Sequence, residues 1–148
     1  MKKIIAICSS ATHYKDLLEI EEKLKKLGFK TKIPDTARTM KKTNNFDVKF
    51  YKTWYKNEKD YTKKTNFIIK HFNKIISSNF ILVVNMDKDG IEGYIGGNVL
   101  MEMAIAFHYK KKIFIYNNIS KTLPIREEVY GLKPIFINRD LGKIIKQK

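Results

Sequence analysis

Apolar residues along this chain come in short blocks separated by longer amphipathic stretches, which predicts strands and helices in turn. Lys3–Cys8 (KIIAIC) is an apolar run ended by Ser9 and Ser10, and reads as a buried strand. Tyr14–Leu27 places apolar residues at 17, 18, 20, 24 and 27, the helical period, and Gly28 follows as a cap. Phe29–Ile33 alternates and stops at Pro34, so a second strand is expected. Residues 36–59 are polar, basic and aromatic, with Phe46, Phe50, Tyr51, Trp54 and Tyr55 interspersed. A loop followed by a short helix is expected there. A long helix is predicted from about Asp60 to Ser77, with Ile68, Ile69, Phe72, Ile75 and Ile76 on its buried face. Phe80–Asn85 (FILVVN) is apolar on both faces, as a central strand must be. The loop Met86–Gly97 leads into a further helix, and Lys112–Tyr116 is the next strand. A short helix within Leu123–Tyr130, a last strand Pro134–Asn138 and a helical tail Leu141–Lys146 complete the chain.

Five strands alternating with helices imply an α/β fold, with helices on both faces of a parallel sheet. The right-handed crossover rule favours a three-layer open sheet, flavodoxin-like or Rossmann-like, in the order 2-1-3-4-5. Without repeats or linkers, residues 1–148 are expected to be a single domain. Ligands of such sheets bind beyond the carboxyl ends of the strands, around the switch point between the first and third. Here those segments are Cys8–Tyr14, Pro34–Thr39, Asn85–Glu102 and Asn117–Ser120.

Within that set the segment from Gly93 to Asn117 stands out. The turn Gly96-Gly97 opens onto a helix in which, from Val99 to Phe107, Glu102 is the one polar side chain. A carboxylate among apolar neighbours meets a desolvation penalty unless something needs it there. Backbone N–H groups of Gly96 and Gly97 can approach an anion at the helix start, and Asn98 can act as N-cap. Glu102 is thus a candidate nucleophile or base, with a helix-dipole acid or a partner for a lysine as the structural alternative. Asn85 and Asp87 follow the central strand and could orient it, although Asp87-Lys88-Asp89-Gly90 is also good turn chemistry. Ser9, Ser10 and Thr12 could bind phosphate or sugar hydroxyls, or cap the helix near Tyr14. Arg38 offers a phosphate fork or a surface ion pair. His13, His71 and His108 are scattered and there is one cysteine, Cys8, so no metal site is expected.

Composition narrows the classes. Hydrophobic residues at 43% argue against a disordered chain. No stretch approaches the roughly 20 apolar residues of a membrane span. The start MKKIIAIC resembles a signal peptide, but its apolar run is too short and reads as a strand. A single cysteine fits a cytosolic protein without an internal disulfide. The net charge of +15 implies an anionic partner: a nucleotide, a nucleic acid or an anionic surface. All but three of the 30 basic residues are lysine, dispersed along the chain, and base readers favour arginine and aromatic clusters. Nucleic-acid binding through the lysine-rich, aromatic segment 41–74 is therefore the lesser reading. A flavodoxin-like FMN protein is weaker still, because the first loop lacks a glycine-and-threonine phosphate cradle.

A sheet of this order, with strand, loop, glycine turn and helix, and an early helix glutamate followed by small and apolar residues (E-M-A-I-A-F, then K-K-K-I-F-I), resembles the nucleoside 2-deoxyribosyltransferases. It also resembles the related deoxynucleoside 5′-monophosphate N-glycosidases. The likeness covers Phe80 to about Asn117, with compatible topology elsewhere. It implies that Glu102 attacks the anomeric carbon of a deoxynucleoside, and that the glycosyl-enzyme is resolved by a second base or by water. It implies no cofactor, a nucleoside or nucleotide partner, and a homo-oligomer whose side chains cross into neighbouring sites, a contact the Trp54/Tyr55 segment could serve. Six residues before the glutamate, transferases commonly carry aspartate and monophosphate hydrolases serine; here the residue is Gly96. Asn98, Ser9 or Ser10 could supply the polar group instead. A non-catalytic nucleotide-binding or regulatory protein with the same pocket is the alternative to an enzyme.

Overall fold

A computed structural model of the chain describes residues 1–146, so the last two residues of the expected domain lie outside the described residues. Five parallel strands form one sheet: β1 (Ile4–Ser9), β2 (Lys30–Lys32), β3 (Phe80–Val84), β4 (Lys112–Ile115) and β5 (Ile135–Phe136), in the order 2-1-3-4-5. Every residue of β3 is buried, as its unbroken apolar run requires of a central strand. Helices α1 (Tyr14–Lys26) and α7 (Gly142–Ile145) cover one face, packing on Ile5, Ile7, Leu82, Val84 and Phe114. Helices α4 (Tyr61–Ile76), α5 (Gly97–His108) and α6 (Arg126–Gly131) cover the other, on Ala6, Cys8, Ile81, Val83, Ile113 and Ile115. The alternation of side chains along β1 and β3 produces this division. Among the described residues no helix is long and apolar enough to cross a membrane.

The close of α1 shows how locally encoded the frame is. Gly28 adopts φ +93°, its N–H bonds the carbonyl of Lys25, and the N–H of Phe29 reaches back to Leu24. That is a Schellman ending, sealed by burial of both Leu24 and Phe29.

Three expectations change. The loop expected after residue 36 is largely helical: α2 (Asp35–Thr43) starts behind Pro34 and ends at Asn44 in the left-handed region. Only Ala37 and Met40 of α2 are buried, too few apolar positions for a periodic signal. The expected short helix exists as α3 (Val48–Tyr51). On α4, Ile69 is 52% exposed while His71 is 5% exposed. The last strand shortens to Ile135–Phe136.

Helices α1 and α2 and strand β2 meet at a fully buried carboxylate. Glu21 accepts two bonds from Arg38 (Nη1 3.1 Å, Nη2 2.8 Å) and one from the Thr31 hydroxyl at 2.7 Å. Lys25 adds a cation at 3.7 Å. The forked geometry is what arginine offers a carboxylate. Arg38→Ala leaves Glu21 with Thr31 and Lys25 alone, and is expected to destabilise the fold by about 2 kcal/mol, the loss of charged hydrogen bonds from a half-exposed partner. Urea unfolding reads this as a lower midpoint at unchanged slope. An unchanged midpoint would mean that Thr31 and Lys25 suffice.

Candidate active site

Gly96 is the N-cap of α5 and Gly97 its first residue, so Asn98 lies inside the first turn and not at the cap. From that start, Glu102 turns inward with 4% exposure. It lies over the last residues of β1, where α4 and α5 pack together. Its nearest polar neighbour is His71 of α4, with Nε2 at 3.5 Å from Oε2. Cys8 of β1, fully buried, places Sγ 3.6 Å from the same nitrogen. Three elements thus bring three polar side chains to one buried point.

Electrostatics decides the state of this group. Burial pushes the Glu102 carboxyl up to about 8, against the pull of the Lys64 ammonium. Burial, with help from the Lys74 charge, pushes the His71 imidazole down to about 4. Burial and then the Glu102 charge push the Cys8 thiol well up. At neutral pH, Glu102 and His71 therefore face each other largely uncharged, although their spacing is that of an ion pair. Tyr14 is also buried, and its phenol is pushed up by burial and by the Glu102 charge.

Glu102 and His71 line a cavity walled by Tyr14, Met40, Tyr51, Trp54, Phe67 and Ile68. Asp35 lines it too, held low chiefly by its bond from Lys74 at 2.5 Å. A second cleft opens at the start of α5. Ser9, Ser10, Lys52, Tyr55, Lys64, Lys88, Tyr94, Gly96, Gly97 and Asn98 line it, with three lysines and no acid among them. Ala11, Tyr14, Lys52, Lys64 and Asn98 line both spaces, so they share a wall. Lys64 is the hinge of that wall. Its ammonium donates to Asn98 Oδ1 at 3.1 Å, lies over the Trp54 ring at 5.6 Å and acts on Glu102.

The structure brings part of the expected set together. Ser10, Gly96, Gly97 and Asn98 border the lysine cleft, and Lys88 reaches Ser10 Oγ at 3.4 Å. Ser9 borders it too, but its hydroxyl is buried and donates to the carbonyl of Val84 at 2.6 Å, bracing β1 against β3. Thr12 is exposed on the turn before α1. Arg38 is committed to Glu21 and lines neither the cavity nor the lysine cleft.

Asn85 and Asp87 are framework. Asn85 exchanges bonds with the backbone of Asn117, N–H to Oδ1 and Nδ2 to carbonyl, both 2.8 Å, and also donates to the carbonyl of Gly93. Asp87 accepts from the N–H of Gly93 at 3.0 Å. Gly93 is required there: it has φ +61°, and a Cβ would lie 2.0 Å from the carbonyl oxygen of Asn118. His71 stands where Asp87 or Asn85 was expected, beside the Glu102 carboxyl.

His71, Cys8, Tyr14 and Lys64 escaped sequence reasoning. A signal existed for His71 alone, which falls on the same helical face as Ile68 and Ile75. Nothing in a lysine-rich chain marks Lys64. The segment considered for nucleic acid covers the cavity: Trp54 is 6% exposed and packs on Phe67, while Phe50 and Tyr55 remain exposed.

The two titrations act on stability with opposite signs. His71 holds its pKa below the unfolded value, so its neutral burial weakens the fold as pH drops from about 6.5 to about 4. Glu102 keeps a proton that the unfolded chain releases near 4.5, so stability falls as pH rises from there to about 8. The effects oppose each other below about 6.5, and above it Glu102 acts alone. Between about pH 6.5 and pH 8, urea unfolding is expected to show a loss of about 2 kcal/mol in the wild type that Glu102→Gln removes. The same slope in both proteins would mean that Glu102 is ionised in the native state. No protein-family model and no curated protein matches this chain, so the reading of the site rests on its geometry.

Proposed function

We propose that the protein cleaves, or transfers, at the N-glycosidic bond of a deoxynucleoside 5′-monophosphate, with Glu102 as nucleophile. One observation carries this reading: a buried carboxyl in an aromatic-walled cavity shares a wall with an acid-free cleft of three lysines at a helix start. Base and sugar suit the first space, and a phosphate suits the second. A Glu102 oxygen attacks the anomeric carbon, the bond to the base breaks, and the base leaves with that electron pair and gains a proton. Water or a second base then takes the sugar from the ester, and the carboxylate returns. Lys64, between the two spaces, favours the ionised form that attack requires.

A non-catalytic nucleotide binder is the second reading. It is favoured by the protonated state of Glu102 at neutral pH.

The assay is release of free base from a panel of deoxynucleosides and their 5′-monophosphates, with and without an acceptor base. Glu102→Gln is expected to lower release by on the order of 10³-fold or more while binding of an unreactive analogue survives. Equal release by both proteins would make Glu102 structural, and binding without turnover in either would favour the binder.

The pH profile is a separate check. Because the attacking form is ionised, kcat/KM is expected to rise about tenfold per pH unit and level off above about 8. Lys64→Met removes a charge that favours the carboxylate, and should move the whole profile to higher pH. A profile already flat at neutral pH would sink the assignment of Glu102 as the titrating nucleophile. Lys88→Ala should weaken binding of the monophosphate and leave that of the nucleoside; equal weakening of both would remove the lysine cleft from phosphate binding.

A further inference from the structure

The Cys8–His71–Glu102 cluster pairs one spacing usual for a sulfur hydrogen bond, Sγ to Nε2, with one too long for a nitrogen–oxygen hydrogen bond, Nε2 to Oε2. Good N–H···O and O–H···N bonds fall near 2.7–3.2 Å, whereas Nε2 and Oε2 stand 3.5 Å apart. Sγ lies 3.6 Å from the same nitrogen, and all three candidate ligand atoms lie within 4.8 Å of one another. Zinc binds sulfur at about 2.3 Å, imidazole nitrogen at about 2.0–2.1 Å and carboxylate oxygen at about 2.0–2.2 Å. Around one tetrahedral ion those lengths separate neighbouring donor atoms by about 3.3–3.6 Å. Both separations from Nε2 fall in the range of ligands around a shared ion.

Charge and burial agree with the spacing. The three residues are 0%, 5% and 4% exposed. A thiolate, a neutral imidazole and a carboxylate around a divalent cation sum to zero, so binding removes the burial penalty that each anion faces alone. Lys74, whose charge acts on His71, is already paired with Asp35. His71 Nδ1, the ring's other nitrogen, is buried and makes no hydrogen bond of ordinary geometry among the described residues. His71 and Glu102 line the cavity, leaving room for a water or ligand atom as a fourth donor.

We propose that Cys8, His71 and Glu102 form a site for one zinc-like divalent ion, held by thiolate, imidazole and carboxylate and open to the cavity. The donor set selects the metal: thiolate and imidazole suit zinc or cobalt and disfavour magnesium or calcium. The site stands independently of the reaction proposed for Glu102. If both hold, they exclude each other, because a carboxylate bound to the ion cannot attack carbon. Zinc would then act as a reversible brake on base release.

The test uses the full chain, reduced and stripped of metal, without nucleotide. Zinc is titrated against a chromophoric chelator of micromolar affinity, with magnesium in excess as control. One zinc per chain is expected to be retained, unaffected by magnesium. Cobalt(II) is expected to give tetrahedral visible bands and a thiolate-to-cobalt charge-transfer band in the near ultraviolet, which reports Cys8 directly in the unmutated protein. Cys8→Ser, checked for folding by circular dichroism, should lose that band and bind zinc at least about 10-fold more weakly. Failure to retain zinc, or a cobalt spectrum without the thiolate band, would overturn the site and leave a buried polar triad. Because no substrate enters the titration, that failure leaves the glycosidic reading untouched, and a failed base-release assay leaves the metal site untouched.

Discussion

The carboxyl of Glu102 lies where almost no water reaches it, between two helices at the end of a parallel sheet. In such surroundings the ionised form is the expensive one, and the group keeps its proton to about pH 8. Every chemical role open to the site follows from that constraint. With the pull of Lys64 already counted, the anion at neutral pH needs a further positive charge beside it, such as one developing on a sugar or a divalent ion. The glycosidic attack and the metal binding proposed for this site would be alternative answers to the same electrostatic problem.

The strand ends and the loop that carry α5 are tied together by hydrogen bonds. The reciprocal bonds between Asn85 and Asn117 lock the carboxyl ends of β3 and β4. Asp87 and Gly93 close the loop between β3 and α5, and Ser9 ties β1 to β3. These polar residues look catalytic in a linear sequence because they cluster at the switch point. In the folded chain Ser9, Asn85 and Asp87 bond to backbone groups of the frame. The frame they form holds the start of α5 beside the three lysines that line the second cleft.

Much of the molecule was legible in the sequence. The two-residue and 3.6-residue periods are properties of the local backbone, so β1, α1, β3, α4, α5 and β4 could be read within a residue or two. The crossover rule then left few strand orders, the observed one among them. Glu102 was legible as well, because one carboxylate in an apolar helix is an exception that demands a reason. α2 was missed because only Ala37 and Met40 face the core, too few to reveal a period.

Polar partnership was decided only by tertiary structure. Arg38 took Glu21 and not a phosphate, and His71 took the place beside Glu102 where Asp87 or Asn85 was expected. Cys8, His71 and Glu102 come from a strand and two different helices, and no spacing rule links them. Their meeting depends on how α4 and α5 pack across β1 and β3, down to which residue of a helical face turns inward. The sequence by itself determined the strands, the helices and the presence of a carboxylate in an apolar helix, because local periodicity suffices for these, and chain handedness narrowed the strand order to a few, the observed one among them. Only the fold chose the acid's neighbours, since side chains distant along the chain share a charge only after packing has removed the water between them.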